Sequence, residues 1–461
     1  MGLLFTSCAD FLNKSPYVNI SAEGAVTDAS TTNYSLLGIY NLMQNEYSYG
    51  RAAIVLPDAA TSNIILSASN SNRYINVAQW TTSISSGEHR DLWYRIYQFI
   101  NAANRIIAKV DDINATEPQK QQFKAEALTI RALGHFLLVS IFSQAYPGGQ
   151  NSLGVPYMEI SHTFEKPARD DVQTVYTKII ADLTEAINLF NTAGNPSGNA
   201  PYRADLWSAK AILGKVYMHQ LDYVKAKPVL RDIIDNSGYS ILANDKFADA
   251  WGKRYDDAAK TEFMLAIANN PSDYGATTSL GYIYIQGGYG DLRASQEIFD
   301  LYATSDIRKS AYFKDGTGTA VGSIFVNKYP SRENSTGLSD NPIMRLSDVY
   351  LLYAEACAYT GDEAIAITHL DMIIQRADLT AATSTESGTA LQDKIFLERR
   401  KELAFEGQYL FDLKRYHMAI KSGYRADGQL FTTIPYPSNM RAFPIPDVEM
   451  DANPNMVQNP S

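Results

Sequence analysis

Cysteine is almost absent from this sequence: only Cys8 and Cys357 occur among its 461 residues. Cys357 lies within YLLYAEACAYTG, whose small apolar residues predict a buried helix. Because free cysteine is among the most buried residue types, we interpret Cys357 as an inert core residue. A disulfide between the two is therefore disfavoured, and Cys8, which follows a few apolar residues and a serine, requires another explanation.

Long apolar runs and basic clusters are also missing. The most apolar stretch, LGHFLLVSIF at Leu133 to Phe142, is about half as long as a membrane span requires, so we expect a buried helix there. Acidic residues (50) outnumber basic residues (40), the formal net charge is −10, and there is no basic run. Such a surface repels phosphate backbones, which excludes nucleic acid as an expected partner.

Catalytic and metal-binding signatures are lacking as well. The six histidines show no HExxH or paired metal spacing, and the sequence has no G-x-S-x-G motif. We therefore predict no cofactor, no metal and no enzymatic activity. Glu398, Glu402 and Glu406 lie one helical turn apart and could supply glycosidase carboxylates, but the interleaved arginine and lysine residues favour ion pairs.

Tyrosine, by contrast, is abundant: 30 tyrosines outnumber 18 phenylalanines. A tyrosine ring has apolar faces and a polar tip, so it suits half-buried surfaces that receive amphipathic ligands. The excess of tyrosine favours a binding protein.

Helical periodicity is strong along most of the chain and indicates a mainly α fold. The predicted helices span residues 31–44, 89–110, 118–145, 171–190, 203–220, 223–236, 343–360, 362–377 and 391–420. Two helix pairs share the tetratricopeptide spacing, with small residues where the helices touch. The residues at offsets 0, 3, 12 and 16 are Gly214, Tyr217, Ala226 and Leu230 in one pair and Ala354, Cys357, Ala366 and Leu370 in the other. Such units bury their faces on neighbours, so we expect a right-handed bundle of several pairs.

Two regions depart from this pattern: residues 47–87 and 241–340 are rich in Ser, Thr, Asn, Gly and Tyr. The segment NNPSDYGATTSLGYIYIQGGYGD combines alternating strand-like residues with turn residues, so we expect minor β structure there. Long loops in a helical protein are usually functional. These regions are therefore predicted to form a loop-rich, ligand-binding half.

Aromatic residues in these loops are the candidate ligand contacts. Trp80 lacks the helical spacing of a core residue, and it lies close to Tyr74 and Asn76 in the sequence. A flat aromatic ring can stack on a sugar while a nearby amide bonds its hydroxyl groups. The other candidates are Tyr274, Tyr289 and Trp251.

Several segments, taken in order, resemble the SusD/RagB family of outer-membrane nutrient-binding lipoproteins. SCADFLNKSP resembles the family's acylated start, and LWYRIYQFINAANRII and FKAEALTIRALGHFLLVSIFSQAYP resemble two of its helices. FDLYATSDIRK, IMRLSDVYLLYAEACAYTGD, LERRKELAFEGQYLFDLKRY and FPIPDVEMDANPNMVQNP resemble its later motifs, with Asp348 where glutamate is usual. The resemblance runs from Cys8 to the last residues of the chain.

This resemblance implies a non-enzymatic protein in which tetratricopeptide-like pairs cradle a loop-rich half. Family members cap a SusC-like TonB-dependent transporter, and many capture glycans while some take peptides. The implied regions are a lipoprotein signal remnant and tether (1–16), an N-terminal SusD-like helical region (17–240) and a C-terminal RagB/SusD region (241–461), interleaved in one body. The glutamate-rich helix has a structural role in the family. Because family ligand contacts come from variable loops, no binding residue is carried over.

The resemblance also explains Cys8. LLFTSC resembles the end of a lipoprotein signal peptide, cleaved so that Cys8 becomes the acylated first residue, and two or three acyl chains anchor a protein stably to a membrane. The seven residues before Cys8 are too few for a signal peptide, so we expect the anchor to form on a longer precursor.

We therefore predict a lipid-anchored protein, exposed at the cell surface on the outer membrane. It is expected to bind an oligosaccharide or polysaccharide and to deliver this glycan to a SusC-like transporter. The alternatives are a peptide-binding uptake protein, a lipoprotein glycosidase and a tetratricopeptide scaffold for cytoplasmic proteins.

Overall fold

Most of the predicted helices are present in the computed structural model, which describes residues 25–161, 164–194, 201–256 and 261–460. In these residues the helices are α1 (Ala29–Gln44), α2 (Ala52–Ala59), α3 (Ile75–Gln79), α4 (Gly87–Lys109), α5 (Glu117–Phe142), α6 (Tyr146–Gly149), α7 (Val172–Ala193), α8 (Leu206–His219), α9 (Tyr223–Asn236), α10 (Asn244–Ala250), α11 (Leu280–Tyr284), α12 (Gln296–Phe299), α13 (Ile307–Tyr312), α14 (Leu346–Tyr359), α15 (Glu363–Ala377), α16 (Gly388–Glu402), α17 (Tyr409–Arg415) and α18 (Asp447–Ala452). Helix ends carry the expected chemistry: Thr116 and Gln119 form a capping box at the start of α5. The predicted mainly α fold class is confirmed.

Short antiparallel strand pairs make up the minor β structure. The strands are β1 (Ile64–Leu66), β2 (Phe263–Ile267), β3 (Leu292–Ala294), β4 (Phe313–Asp315), β5 (Ile324–Val326), β6 (Asn341–Arg345), β7 (Ile420–Lys421) and β8 (Thr433–Ile434). The pairs are β1 with β3, β2 with β6, β4 with β5 and β7 with β8. The β1–β3 and β2–β6 pairs join segments that are far apart in the sequence, and they tie the loop-rich half together.

The two predicted tetratricopeptide-like pairs are α8 with α9 and α14 with α15. In each pair the two helices pack against each other. Helix α9 also packs against α14, so the two pairs are neighbours and share a buried seam. Gly214 of α8 touches Leu230 of α9: a Cβ atom added to Gly214 would lie 2.6 Å from Leu230 Cδ2. In the second pair, Ala354, Cys357 and Leu370 are fully buried, as the repeat spacing predicts.

Helix α5 is the apolar centre of the helical half. It packs between α4 and α7, and all of its residues from Ala125 onward are buried. Among the described residues it is the one helix long and apolar enough to cross a membrane, and its most apolar window is fully buried inside the protein. The prediction of a buried helix at Leu133 to Phe142 is confirmed.

The single helix predicted for residues 391–420 is wrong. Helix α16 ends at Glu402 and α17 begins at Tyr409. Between them, Phe405 and Gly407 have φ angles of 65° and 71°, which a continuous helix does not allow. A Cβ atom added to Gly407 would lie 2.8 Å from the Ile54 carbonyl oxygen, so this break brings the backbone close to α2.

Two further segments differ from the sequence-based expectation. Residues 280–284, predicted to be strand-like, form helix α11, because the Ser279 side chain caps it by accepting from the Tyr282 N–H. Helix α2 lies within a region predicted as loop, and all eight of its residues are buried. A helix buried on every side has no amphipathic pattern, so periodicity did not identify it.

Buried ion pairs surround α16. Glu402 is fully buried and contacts Arg308 at 3.0 Å, Arg345 at 3.0 Å and Arg376 at 2.7 Å. Burial opposes ionisation of Glu402, but the three guanidinium groups outweigh it and hold the pKa of this carboxyl well below its usual range.

The other two glutamates of the helical row are paired in the same way. Glu398 contacts Arg308 at 2.6 Å, and Glu406, in the turn after α16, contacts Lys328 at 2.5 Å. Ion pairing of these glutamates is present, but most of their cationic partners come from other segments of the chain. Of the interleaved cations, Lys401 contacts Glu398 at 3.4 Å. Because these carboxylates are buried and engaged by cations, they do not form an exposed acid–base pair.

Candidate functional site

The pairing of β1 with β3 assembles the loop-rich half. The two strands are antiparallel, with Leu66 opposite Leu292. The chain leaving β1 therefore runs beside the chain entering β3, and the Ser67 N–H donates to the Asp291 carbonyl at 2.9 Å. As a result, residues 67–74 lie next to residues 289–291.

Asp291 organises the loop that follows β1. Its carboxylate accepts from the Ser71 N–H at 2.9 Å and from the Ser71 hydroxyl at 2.5 Å, and it contacts Arg73 Nη1 at 3.5 Å. The side chain of Asp291 is 1% exposed, whereas that of Arg73 is 27% exposed. A buried carboxylate therefore holds a partly exposed guanidinium group in place.

Arg73 in turn lies on an exposed tyrosine. Its guanidinium carbon is 3.9 Å from the centroid of the Tyr289 ring, and Tyr282 packs edge-on against the same ring at 4.9 Å. These contacts fix the orientation of Tyr289, which remains 36% exposed. The candidate Tyr289 is thus a supported aromatic ring that a ligand can reach.

A short helix with strained ends carries other candidates. Tyr74 before α3 and Trp80 after it both have a φ of 56°, which is uncommon for residues other than glycine. Contacts hold Tyr74 in this conformation: its N–H donates to Glu88 Oε1 at 2.7 Å, and its hydroxyl accepts from Arg51 Nε at 3.2 Å. Burial raises the pKa of Tyr74, so its hydroxyl stays protonated at neutral pH.

These elements border a cavity of about 490 Å³, which we call the polar cleft. Its hydroxyl and amide groups come from Tyr47, Asn72, Tyr74, Asn76, Ser83, Ser85 and Ser86. Its charged groups come from Arg51, Arg73, Glu88 and Asp91. The cleft therefore brings the predicted residues Tyr74 and Asn76 together, and Tyr289 adjoins it through Arg73. Tyr74 is 0% exposed, so it supports the cleft wall and its ring has no free face for a ligand in this structure.

The charged groups of the polar cleft are held by their neighbours. Arg51 contacts Glu46 at 3.2 Å, and Asp91 contacts Arg90 at 3.1 Å. Partial burial, followed by the nearby Glu46 and Asp91 carboxylates, raises the pKa of Tyr47. Its hydroxyl is therefore protonated at neutral pH and can donate a hydrogen bond.

Trp80 lies beside the polar cleft and lines a separate apolar cavity of about 400 Å³. Its indole N–H donates to the Ala60 carbonyl at 2.8 Å, and its ring packs against Phe443 at 5.5 Å. Trp80 is 8% exposed, so most of its surface belongs to the core. Ser83 lines both cavities. Ligand contact by Trp80 stays a prediction, and it would involve only the small part of the ring that faces the apolar cavity.

Trp251 and Tyr274 do not line the polar cleft. Trp251 is 1% exposed, and aromatic rings and the Lys328 ammonium group, 4.6 Å from its ring centroid, surround it. Its burial leaves no ring face for a ligand in this structure, so Trp251 is not part of the candidate site. Tyr274 is half-buried in the turn that precedes Thr278, whose carbonyl accepts from Arg51 at 2.9 Å.

The two cysteines have separate outcomes. Cys357 is free and buried, as predicted, and burial raises its pKa. Cys8, the predicted lipidation site, lies in residues 1–24, outside the described part of the chain. Within the described residues, no group of three or more His, Cys, Asp or Glu side chains could hold a metal ion.

The charged part of the polar cleft was not predicted from the sequence. Arg51, Arg73, Glu88, Asp91 and Asp291 look like ordinary surface charges in the sequence. The pairing of Arg73 with Asp291 joins segments that are more than 200 residues apart, so no local pattern indicates it. One usable signal was the position of Arg73, immediately before Tyr74 in a loop predicted to bind ligand.

The fold and the polar cleft define a class: a mainly helical protein in which paired helices support a cleft built from long loops. Two family models match this chain. Residues 307–461 match the SusD family, and residues 10–218 match a family described as starch-binding and associating with the outer membrane.

Individual SusD-like proteins are also similar to this chain over most of its length. A SusD-like protein from Formosa agariphila is 23% identical, over 98% of this chain and 95% of its own length. A SusD superfamily structure from Bacteroides thetaiotaomicron is 25% identical and covers 94% of this chain and 100% of its own, with a TM-score of 0.84. A protein described as a laminarin-binding SusD-like protein is 24% identical, with the same coverage and a TM-score of 0.74. Together, the two models and the near-complete coverage of these proteins show that the chain is SusD-like along most of its length.

Proposed function

We propose that this chain is a non-enzymatic, lipid-anchored protein of the outer-membrane surface that binds a glycan in the polar cleft and delivers it to a SusC-like TonB-dependent transporter. The observation that carries the binding step is the exposed Tyr289 ring, held by Arg73 at the edge of a cleft rich in hydroxyl and amide groups. The starch-binding description of the matched family and the laminarin-binding structural neighbour support a carbohydrate ligand.

Glycan chemistry fits this arrangement. A sugar ring has an apolar C–H face and a polar rim, and Tyr289 offers an aromatic surface for the face. Tyr47, Asn72, Asn76 and Ser85 supply hydrogen-bond donors and acceptors for the hydroxyl groups. The strained but well-bonded ends of α3 hold this set of groups in one geometry before ligand arrives, which lowers the entropy lost on binding.

The binding step can be tested by calorimetry with laminarin, starch, xylan and galactomannan. For the glycan that binds, Tyr289→Ala and Arg73→Ala should each weaken affinity by about threefold to tenfold, the usual effect of removing an aromatic or cation–π contact. Tyr34→Ala, which removes an exposed tyrosine of α1, is the matched control and should leave affinity unchanged. Unchanged affinity in both cleft variants would remove the polar cleft as the glycan site.

Other outcomes separate the alternatives. Binding of a peptide mixture in place of every glycan would favour a peptide-uptake protein. Release of reducing ends during long incubation with a bound glycan would contradict a non-enzymatic role.

Anchoring and delivery need separate measurements. Mass spectrometry of the protein from its native membrane should find acyl chains on Cys8, and an unmodified Cys8 would contradict the anchor. Purification from the same membrane in mild detergent should recover a TonB-dependent transporter, and its absence would contradict delivery to that partner.

A further inference from the structure

We propose that the polar cleft selects uncharged glycans over anionic ones, and that the buried carboxylate of Asp291 is a specificity-determining group. This inference rests on the proposed function, because it names the class of glycan that the same cleft would take.

Cations do not outnumber carboxylates in the polar cleft. Its lining carries Arg51 and Arg73 against Glu88 and Asp91. The charged partners just outside the lining are Glu46, Asp291 and Arg90, and Arg293 lies two residues after Asp291 in β3. The lining therefore offers an anion no excess of positive charge, and the whole chain has a net charge of −10.

Neither arginine of the cleft wall is available as a free counter-ion. Arg51 donates to the Tyr74 hydroxyl and to the Thr278 carbonyl, and its remaining terminal nitrogen contacts Glu46 at 3.2 Å. Arg73 is already paired with Asp291. A carboxylate or sulfate on a glycan would therefore meet cations whose charge is already compensated.

Burial strengthens the electrostatic effect of the Asp291 charge on a nearby ligand. Its side chain is 1% exposed, so little water surrounds the carboxylate and its field is weakly screened. An anion that approached Arg73 from the cleft would also meet the charge of Asp291, whose Oδ2 lies 3.5 Å from Arg73 Nη1. The repulsion offsets much of the attraction that Arg73 alone would provide.

Uncharged sugars do not meet this opposition. A hydroxyl group can accept from Arg73 and donate to Glu88 or Asp91, and hydrogen bonds that involve an ionised partner are the stronger ones. The carboxylates that repel an anionic substituent are thus useful acceptors for the hydroxyl groups of a neutral glycan.

The test uses matched pairs of probes: laminarin, starch, xylan and galactomannan, each beside its carboxymethylated derivative. The wild-type protein should bind the neutral member at least about tenfold more tightly in about 10 mM NaCl. The preference should shrink in about 1 M NaCl, where screening shortens the Debye length to about 3 Å. A preference set by shape alone would not depend on salt.

Asp291→Asn is the main variant. Asparagine keeps an oxygen to accept from the Ser71 N–H but removes the charge, so the preference for the neutral member should fall by about threefold to tenfold at low salt. Asp91→Asn, at a partly exposed position, should change the preference in the same direction by a smaller factor, and it carries the test if Asp291→Asn does not fold. Asp111→Asn changes the net charge equally in the turn after α4 and should have no effect.

Each result bears on the proposal. Equal wild-type affinity for both members, or a preference that neither Asp291→Asn nor Asp91→Asn alters, would overturn the selectivity while leaving glycan binding intact. Failure of every neutral and carboxymethylated glycan to bind would overturn the proposed function and this inference together.

Discussion

The ion pairs around α16 and those of the polar cleft are formed by the same types of side chain, arginines and carboxylates, in different surroundings. Around α16, Glu402 and its three arginines are buried, and each charge has its partners inside the protein. In the polar cleft, Asp291 and Arg51 are buried, whereas Arg73 is partly exposed. Burial therefore separates charges that hold the helices together from charges that can meet a ligand.

The comparison also explains why the glutamates of α16 were a misleading sign of catalysis. Glycosidase carboxylates must reach a substrate, whereas Glu398 and Glu402 face arginines in the core. A buried charge that loses one partner is destabilising because the remaining charge is left without compensation. An exposed charge that loses its partner is compensated by water, so the two regions should respond differently to substitution.

Replacing Arg345 by methionine should have the largest effect. Arg345 contacts Glu402 at 3.0 Å, Glu406 at 2.7 Å and also Glu262. Urea-induced unfolding should show a loss of at least ~3 kcal/mol in the free energy of unfolding, the usual range for breaking a buried ion pair.

The matched control is Arg231→Met, which removes an ion pair with Asp235 on the surface of α9. This change should alter the free energy of unfolding by less than ~1 kcal/mol. Equal losses in the two variants would break the comparison between buried and exposed pairs.

Asp58 of α2 and Glu402 are both buried carboxyl groups, but their pKa values are shifted in opposite directions. Burial raises the pKa of Asp58 to about 8, although its carboxylate accepts from the Gly407 N–H at 2.9 Å. The folded state therefore binds this proton more tightly than the unfolded state does. The stability that Asp58 contributes is complete below about pH 4 and is lost as pH rises through about 8.

Asp58→Asn should remove that loss, because asparagine can accept from Gly407 without ionising. Relative to wild type, the variant should gain a few kcal/mol in the free energy of unfolding, about 1.4 kcal/mol per pH unit, between about pH 5 and pH 8. Denaturant unfolding across this range measures the difference, with Asp111→Asn as an exposed control. Parallel pH profiles for wild type and Asp58→Asn would show that Asp58 is ionised in the folded protein.

The packing between α8 and α9 can be tested by changing the size of one side chain. A Cβ atom at Gly214 would lie 2.6 Å from Leu230, whereas at Gly38 of α1 it would have no atom within 4 Å. Gly214→Val should therefore destabilise the protein by about 1–3 kcal/mol through overpacking. Gly38→Ala should stabilise it by about 0.5–1 kcal/mol, because alanine is the better helix former. A gain at both positions would contradict tight packing between α8 and α9.

Tyr289→Phe should have the smallest effect. It keeps the ring on Arg73 and removes only a hydroxyl at an exposed position, so the free energy of unfolding should change by less than ~0.5 kcal/mol. Affinity for the bound glycan should fall by less than about threefold if stacking is the main contribution of this residue. A loss as large as that of Tyr289→Ala would assign the contribution to the hydroxyl instead.

Helices and their pairing were largely predictable. The spacing of Gly214, Tyr217, Ala226 and Leu230 indicated a pair of packed helices, and α8 and α9 have that contact. Residues 223–236 were assigned to a helix with the bounds that the structure gives α9. The break between α16 and α17 was not predictable, because it depends on the close approach of Gly407 to α2.

The candidate site was predictable only in part. Tyr74 and Asn76 are close in the sequence and lie together in the polar cleft. Tyr289 and Trp251 had the same sequence signal, an aromatic residue in an irregular region, but one is exposed and the other is buried. Their difference comes from the elements that pack around each ring, and no local pattern records those contacts.

The sequence by itself determined the class of fold, the helix pairs and the apolar helix α5, because periodicity and residue volume act between neighbours along the chain. Only the tertiary structure decided which charges are buried around α16 and which line the polar cleft. The pairing of β1 with β3 places Arg73 beside both Tyr289 and Asp291. The affinity of each charged group for a proton, a partner or a ligand depends on the water excluded by residues far away in the sequence.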